Sequence, residues 1–534
     1  MQNNMASEPK NALCDTVERG LFDAVQELMQ HSGGADVDQP QSDGMTPLCI
    51  ASANGRLDIV KELIHNGANV NLSNVAPLAF AAYGQHFDVL KQLLDRGASI
   101  DAVDTDGWTA LMYACQHDQV ASVKALLDYG ANVNAVASDG LTPLNVAAQN
   151  GRLEVTKELL AHSADVNLAM LDGRTALHGP ATKGALEIVT ALLEHGASVD
   201  PVSNGMTPLY CACEEGFLDV ANELLRRGAK AVPGPELDLP LVGAALSGNV
   251  DLIKVLLDHG ADVNDGGSAG WTPLFVASQN GYVEAIQVLL RQGANVDGLS
   301  NNNAPLYIAA KEGQTEAVAE LLAHNANADI LCDDQTALYI AASNGHLAVV
   351  RHLLQHHANT ERTKLLGDPT PLYAASSNGQ RAIVEELLCH GARVNTSTLT
   401  NETPLHIAIQ NRHGDVAKTL LENSANPNTK TTDGRTPLSI AIACDNMDVV
   451  TELFKFGAVE TMDTETQNVN NDPAMDGMSG QSSLLILAAQ MNTTPLGCAS
   501  KVGRLDIVKH LVQGGVDINL PGPVRCYNSS TACC

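Results

Sequence analysis

The sequence predicts an all-α solenoid: short helix-turn-helix units stacked in a row, each with a projecting β-hairpin or finger loop. Three observations predict it. A Thr-Pro-Leu or Thr-Ala-Leu phrase recurs, with Ala or Leu in place of Thr before residues 77, 240 and 305; its middle position falls at residues 47, 77, 110, 143, 176, 208, 240, 273, 305, 337, 371, 404, 437 and 495, twelve successive spacings lie between 30 and 34, and the last is 58. Apolar pairs four residues apart follow each phrase, as in Ile59-Val60 and Leu63-Ile64, which is the period of a one-faced helix. Proline stands just inside the first helix and glycine just past the second, the polarity of helix punctuation.

Thr46 to Asn71 is the clearest unit. Leu48 and Ala51 mark a short first helix that Asn54-Gly55 breaks. A second helix carries the apolar pairs, and Gly67 closes it by taking the left-handed conformation. The segment from Ala68 to Asn71 runs extended toward the next phrase. One such unit buries too little to stand alone, so neighbours must cover both of its faces.

On these residues, and on the same phrase at Thr109, Thr142, Thr175, Thr207, Thr272, Thr336, Thr370, Thr403, Thr436 and Thr494, the chain resembles the ankyrin-repeat family from about Leu13 to Asn519. The resemblance implies an ankyrin-repeat α-solenoid of about 14–15 repeats. In order, residues 1–10 read as a flexible leader, and 11–460 as the solenoid, a capping repeat followed by about 13 more. Residues 461–482 read as a polar, acidic, disordered loop, 483–520 as a degenerate repeat start and a final repeat, and 521–534 as a short tail. In the capping repeat, Leu21, Val25 and Leu28 are expected to form the apolar stripe of the second helix. The region 461–493 reads either as a true loop or as a lost repeat segment, and the missing polar cap at the end leaves a longer chain open.

Local departures are also legible. The loop between Asn71 and Pro77 is short, which predicts a clipped finger. Pro180 stands where other repeats have alanine, which predicts a distorted or shortened first helix. Gly is replaced at four unit ends by Ser163, Asn325, His357 and Ser424, which predicts looser ends, most of all at Ser and His.

Composition narrows the functions. With 61 acidic and 31 basic residues the formal charge is −30, which argues against nucleic acid and for a neutral or basic protein partner. Aromatic residues make up only 3%, so the core is Leu, Val, Ile and Ala. The twelve cysteines are scattered, with Cys49, Cys115, Cys332 and Cys498 at expected helical core positions, as in a reducing cytoplasmic or nuclear compartment. No apolar run approaches the length of a membrane span. The terminal Cys533-Cys534 reads either as a lipidation pair or as a chance ending.

No phosphate loop, zinc-protease motif, nucleophile elbow or kinase signature occurs, and Gly266 to Gly270 reads as part of a finger. The expectation is a non-enzymatic protein with no cofactor and no metal. Candidate contact residues come from two registers. The residue before the Thr of the phrase lies, by resemblance, on the finger surface that the family commonly uses for binding: Met45, Trp108, Leu141, Arg174, Met206, Trp271 and Arg435. Three residues into the first helix the family places histidine, here His178 and His406, whose network with Thr ties repeats together. Tyr210, Tyr307, Tyr339 and Tyr373 occupy that slot too, either as packed rings whose hydroxyls find backbone partners or as a partner-facing ladder.

Family members carry asparaginyl hydroxylation in the extended segment, and Asn134, Asn167, Asn264 and Asn395 match that position; the competing reading is a hydrogen bond within the finger. The resemblance implies a monomeric scaffold or adaptor that binds protein through its fingers and concave face. Two other readings stay open: the substrate-recognition subunit of a ubiquitin-ligase-type complex, and a membrane-cytoskeleton adaptor. Both require further domains.

Overall fold

A computed structural model describes residues 12–31, 36–42, 44–72, 76–232, 234, 237–267 and 269–459. The expected leader, the loop at 461–482, the repeat segments at 483–520, the tail with Cys533-Cys534 and the centre of the short finger at 73–75 lie outside these residues. The described residues form 28 helices in pairs, a first helix of six to eight residues and a second of nine or ten. The cap fits the pattern too, with Ala12–Glu18 followed by Phe22–His31. The chain divides into two compact units, one ending at Pro273 and one starting at Leu274.

In the first unit the pairs run from Ala12–Glu18 and Phe22–His31 to Pro240–Ser247 and Val250–Asp258. Each first helix packs on the next first helix, and each second helix on the next second helix. In the second unit the same stacking joins the first helices from Pro305–Lys311 to Pro437–Ala443, and the second helices from Val283–Arg291 to Met447–Lys455. Burial follows the sequence period. Ile59, Val60 and Leu63 are fully buried, each contributing about 2 kcal/mol of apolar burial. Small residues such as Ala51, Ala147, Ala309 and Ala341 are buried where helices approach.

Helix starts are local chemistry. The side chain of Thr46 accepts from the Cys49 N–H at 3.3 Å, and Thr207 does the same for Tyr210 at 3.2 Å, filling a donor the helix leaves orphaned. The turn between the helices uses a positive φ, and the following repeat lies over it. A Cβ at Gly55 would come within 2.5 Å of the His86 ring, and φ there is 67°, so a side chain is excluded twice over. At the unit ends, Ser163, Asn325, His357 and Ser424 take φ values of 61°, 63°, 61° and 69°, the conformation that glycine holds elsewhere.

Pro180 shortens its helix as expected. The helix spans His178–Lys183, starting two residues later than a start at the phrase would put it, so the proline falls in the first turn, where no N–H is needed. Three expectations need correction. Leu21 precedes its helix and is 48% exposed, which leaves Val25 as the fully buried member of that stripe. Cys332 lies in a finger rather than a helix, buried against Ala304 and Tyr307, with its Sγ 3.2 Å from the Ala304 N–H. The fingers hold no strand among the described residues; isolated bridges join Val103 to Thr109, Ser203 to Met206, Ser300 to Asn303 and Cys332 to Gln335. A finger is too short to extend a ladder further.

Candidate protein-interaction surface

The fingers are held by a polar rail at their bases. In most extended segments one polar side chain accepts from the backbone two residues on, as Asn132 does from the Asn134 N–H at 3.0 Å. The next polar side chain reaches the following repeat. Asn134 accepts from the Asp165 N–H at 2.8 Å, Asn167 from Ser198 at 2.7 Å, and Asn395 from Asn426 at 2.8 Å. Asp101, Asp297 and Asp329 do the same for Asn132, Asn327 and Asn359, each at 2.9 Å. The side chains of Asn134, Asn167 and Asn395 thus bond to the next repeat, while the backbone N–H groups of Asn134 and Asn167 bond within their own finger. The Asn264 N–H likewise donates to Asp262 at 2.9 Å.

A second rail runs under the opposite end of the first helices. Residues just before the second helix cover a carbonyl of the preceding repeat: His86 Nε2 on Ala53 O at 3.0 Å, Arg152 Nε on Gln116 O at 3.2 Å, Gln314 Nε2 on Gln279 O at 3.1 Å and His413 Nε2 on Ser377 O at 3.0 Å. These are helix-end carbonyls with no partner inside their own helix. This rail does not follow from the repeat phrase, although a polar residue at this position in most repeats is a visible signal.

Fingers also bond tip to tip. The Ser138 N–H donates to Asp106 O at 3.0 Å, and Leu171 to Asp139 O at 3.2 Å. The register before Thr closes each finger with its carbonyl, which accepts across the loop at Met45, Trp108, Leu141, Arg174, Met206 and Arg435. Their side chains lie on or near the surface. Arg174 and Arg435 are exposed and pair with Asp172 at 2.6 Å and Asp433 at 2.5 Å; Met45, Trp108, Leu141 and Met206 are half-buried. Trp271 is 43% exposed, with its N–H bonded to Gly266 O at 3.0 Å.

The tyrosines divide. Tyr210 and Tyr307 are buried, while Tyr339 and Tyr373 are half-buried. Three of the four hydroxyls find side chains rather than backbone. Tyr210 donates to Glu214 at 3.2 Å, Tyr307 to Gln335 at 3.3 Å and Tyr373 to Glu402 at 3.3 Å. Gln335 and Glu402 occupy the register before Thr in the next repeat, so the structure brings the two candidate registers together. Burial, then the Glu402 carboxylate, push the Tyr373 hydroxyl up to about 12. Tyr210 is raised further, by burial first and by Glu214 after it.

Both histidines of the phrase are buried, and burial lowers them, so each is held neutral. His406 carries out the role the resemblance implies: its Nδ1 accepts from the Thr403 N–H at 3.1 Å, and its Nε2 meets the Thr429 carbonyl at 3.1 Å. One further group escapes the sequence reasoning. Trp108, Tyr113, Tyr83 and His117 meet ring to ring in that order, although Tyr83, Tyr113 and His117 occupy three different positions in their repeats.

Among the described residues no group of three or more His, Cys, Asp and Glu is arranged to hold a metal ion, and no helix is long and apolar enough to cross a membrane. Stacked helix pairs with stapled fingers define a helical-repeat module. The ankyrin-repeat family model, described as ankyrin repeats in three copies, matches residues 1–74, 78–170, 163–233, 234–298, 295–364, 362–431 and 424–521. The chain belongs to the ankyrin-repeat family, whose repeats generally mediate protein–protein interaction. None of the curated proteins matches the chain.

Proposed function

We propose that this chain is a non-enzymatic scaffold that binds a neutral or basic protein partner across its fingers and first helices. The carrying observation is where the exposed apolar side chains gather. Among the described residues, eleven of the eighteen exposed large hydrophobic side chains lie in fingers, including Val103, Val136, Leu171, Val202, Leu366 and Leu399. An apolar side chain on a hydrogen-bonded finger loses little freedom when a partner covers it, which favours affinity. The acidic surface would speed encounter with basic partners. The chain acts as a monomer in a reducing compartment, cytoplasmic or nuclear; the eight described cysteines are all free thiols, and six of them are buried.

Cross-linking of the purified chain to partners retained from a cell extract, followed by mass spectrometry, tests this reading. Cross-links should fall on finger and first-helix residues such as Trp271, Arg174 and Arg435. Labels confined to the second helices would refute it. The hydroxylation of Asn134, Asn167, Asn264 and Asn395 belongs to the same proposal, and a mass increase of one oxygen on these residues in protein from its own cells tests it.

A further inference from the structure

Four rings meet across two successive repeats of the first unit. Tyr83 ends the helix Pro77–Tyr83, and Tyr113 lies midway along Ala110–Gln116, their rings edge-on at 5.6 Å. His117, directly after that helix, meets Tyr83 at 5.6 Å, also edge-on. Trp108, from the finger leading into the helix, reaches Tyr113 at 5.1 Å. The repeat pattern does not call for these rings. The place of Tyr83 holds Ala53 and Gln116 in the repeats on either side, and that of Tyr113 holds Phe80 and Val146. Nor are they core, because Tyr83 is 57% exposed and the other three are half-buried.

Negative charge sits beside the rings. Asp104 accepts from the Trp108 backbone N–H at 2.9 Å and from the Tyr113 hydroxyl, which ties the Tyr113 ring to the finger. Asp106 is exposed at the tip of the same finger and acts on Tyr113 through its charge. Neither carboxylate forms an ion pair among the described residues. Exposed ring faces attract a cation, and a planar guanidinium can stack on a ring while its N–H fork reaches a carboxylate.

We infer that the cluster of Tyr83, Trp108, Tyr113 and His117, with Asp104 and Asp106, seats an arginine side chain of a protein partner. The inference rests on the scaffold reading and gives that surface one anchor of stated chemistry. A lysine would supply the charge without the planar face, and an uncharged side chain would leave the carboxylates unanswered.

The chain's two tryptophans make the test direct. In the full chain carrying Trp271→Phe, Trp108 alone reports. An eight-residue Gly-Arg repeat peptide should change its fluorescence saturably at physiological salt, and the same peptide with citrulline in place of arginine should not. Tyr83→Ala and Asp106→Asn, both at exposed positions, should each weaken binding by at least about threefold with the helical spectrum unchanged. Equal responses to the two peptides, or variants that bind as tightly as the parent, would overturn the inference. If the arginine peptide leaves Trp108 unmoved while partner cross-links still fall on the fingers, the anchor fails and the scaffold reading stands.

Discussion

His406 and Thr429 lie in successive repeats, and the imidazole Nε2 of one meets the carbonyl oxygen of the other at 3.1 Å. The other ring nitrogen accepts from the Thr403 N–H, so a single buried neutral imidazole joins a helix start to the next finger. The contact fixes the tautomer: Nε2 carries the proton and Nδ1 the lone pair.

Acid should therefore loosen this stack. Burial holds His406 and His178 below the ordinary value of 6.5, so the unfolded chain binds more protons as pH falls. Their contribution is present above pH 6.5 and is lost as pH drops below it, through the depressed folded values. Urea melts at pH 7.5 and 5.5 should show a loss at the lower pH. His406→Asn should reduce that loss, because Asn145 in the same slot accepts from the Thr142 N–H at 3.3 Å without titrating in this range. An unchanged difference between the two pH values would count against the assignment.

Alkali should act through the tyrosines. Tyr373 is raised to about 12, and Tyr210 and Tyr113 are raised further, each chiefly by burial and then by a neighbouring carboxylate or hydrogen bond. A folded value above the unfolded one means that this contribution is whole below pH 10 and is lost as pH climbs through the folded value. Absorbance titration at 295 nm should show part of the nine tyrosines ionising only with unfolding. Complete, reversible ionisation centred at pH 10 in the folded chain would refute this.

Glycine should stabilise the ends that lack it. Ser163 and His357 both hold φ at 61°, a conformation costing a non-glycine residue about 1–2 kcal/mol. Ser163→Gly and His357→Gly should each gain about 0.5–1 kcal/mol after the entropy cost of glycine, measured as a shift in the denaturation midpoint. Gly55→Ala should destabilise by more, because the His86 ring occupies the space of the new methyl.

The finger rail should be measurable one bond at a time. Asn134→Ala leaves the Asp165 N–H without its acceptor, and Asn167→Ala does the same to Ser198. Each should cost about 0.5–1.5 kcal/mol, since the freed donors can turn to water. Hydrogen exchange should quicken at Asp165 or Ser198 and leave the buried amides of Leu159 and Leu192 protected. Uniform quickening across the repeat would mean that the rail supports the helices rather than the fingers.

Several of these features are legible in the amino-acid sequence. The helix starts at Thr46 and Thr207, the positive φ at Gly67 and the shortened helix at Pro180 depend on residues within one turn of each other. The partners of side chains are less legible. Tyr307 is readable as a slot, but its partner Gln335 lies 28 residues away in the next finger. Asn167 is readable as a finger asparagine, but its bond to Ser198 spans 31 residues. The ring cluster is hidden altogether, because Tyr83, Tyr113 and His117 share no register and meet only when two repeats stack.

By itself, then, the sequence determined the repeating unit, its family and the face each helix buries, because period, caps and turn conformations are set by neighbours along the chain. Tertiary structure alone decided which polar groups meet: the rail to the next repeat, the tyrosine hydroxyls on the following finger, and the rings around Tyr113. Those contacts join residues about one repeat apart, and their geometry comes from how one unit sits on the next rather than from any local preference.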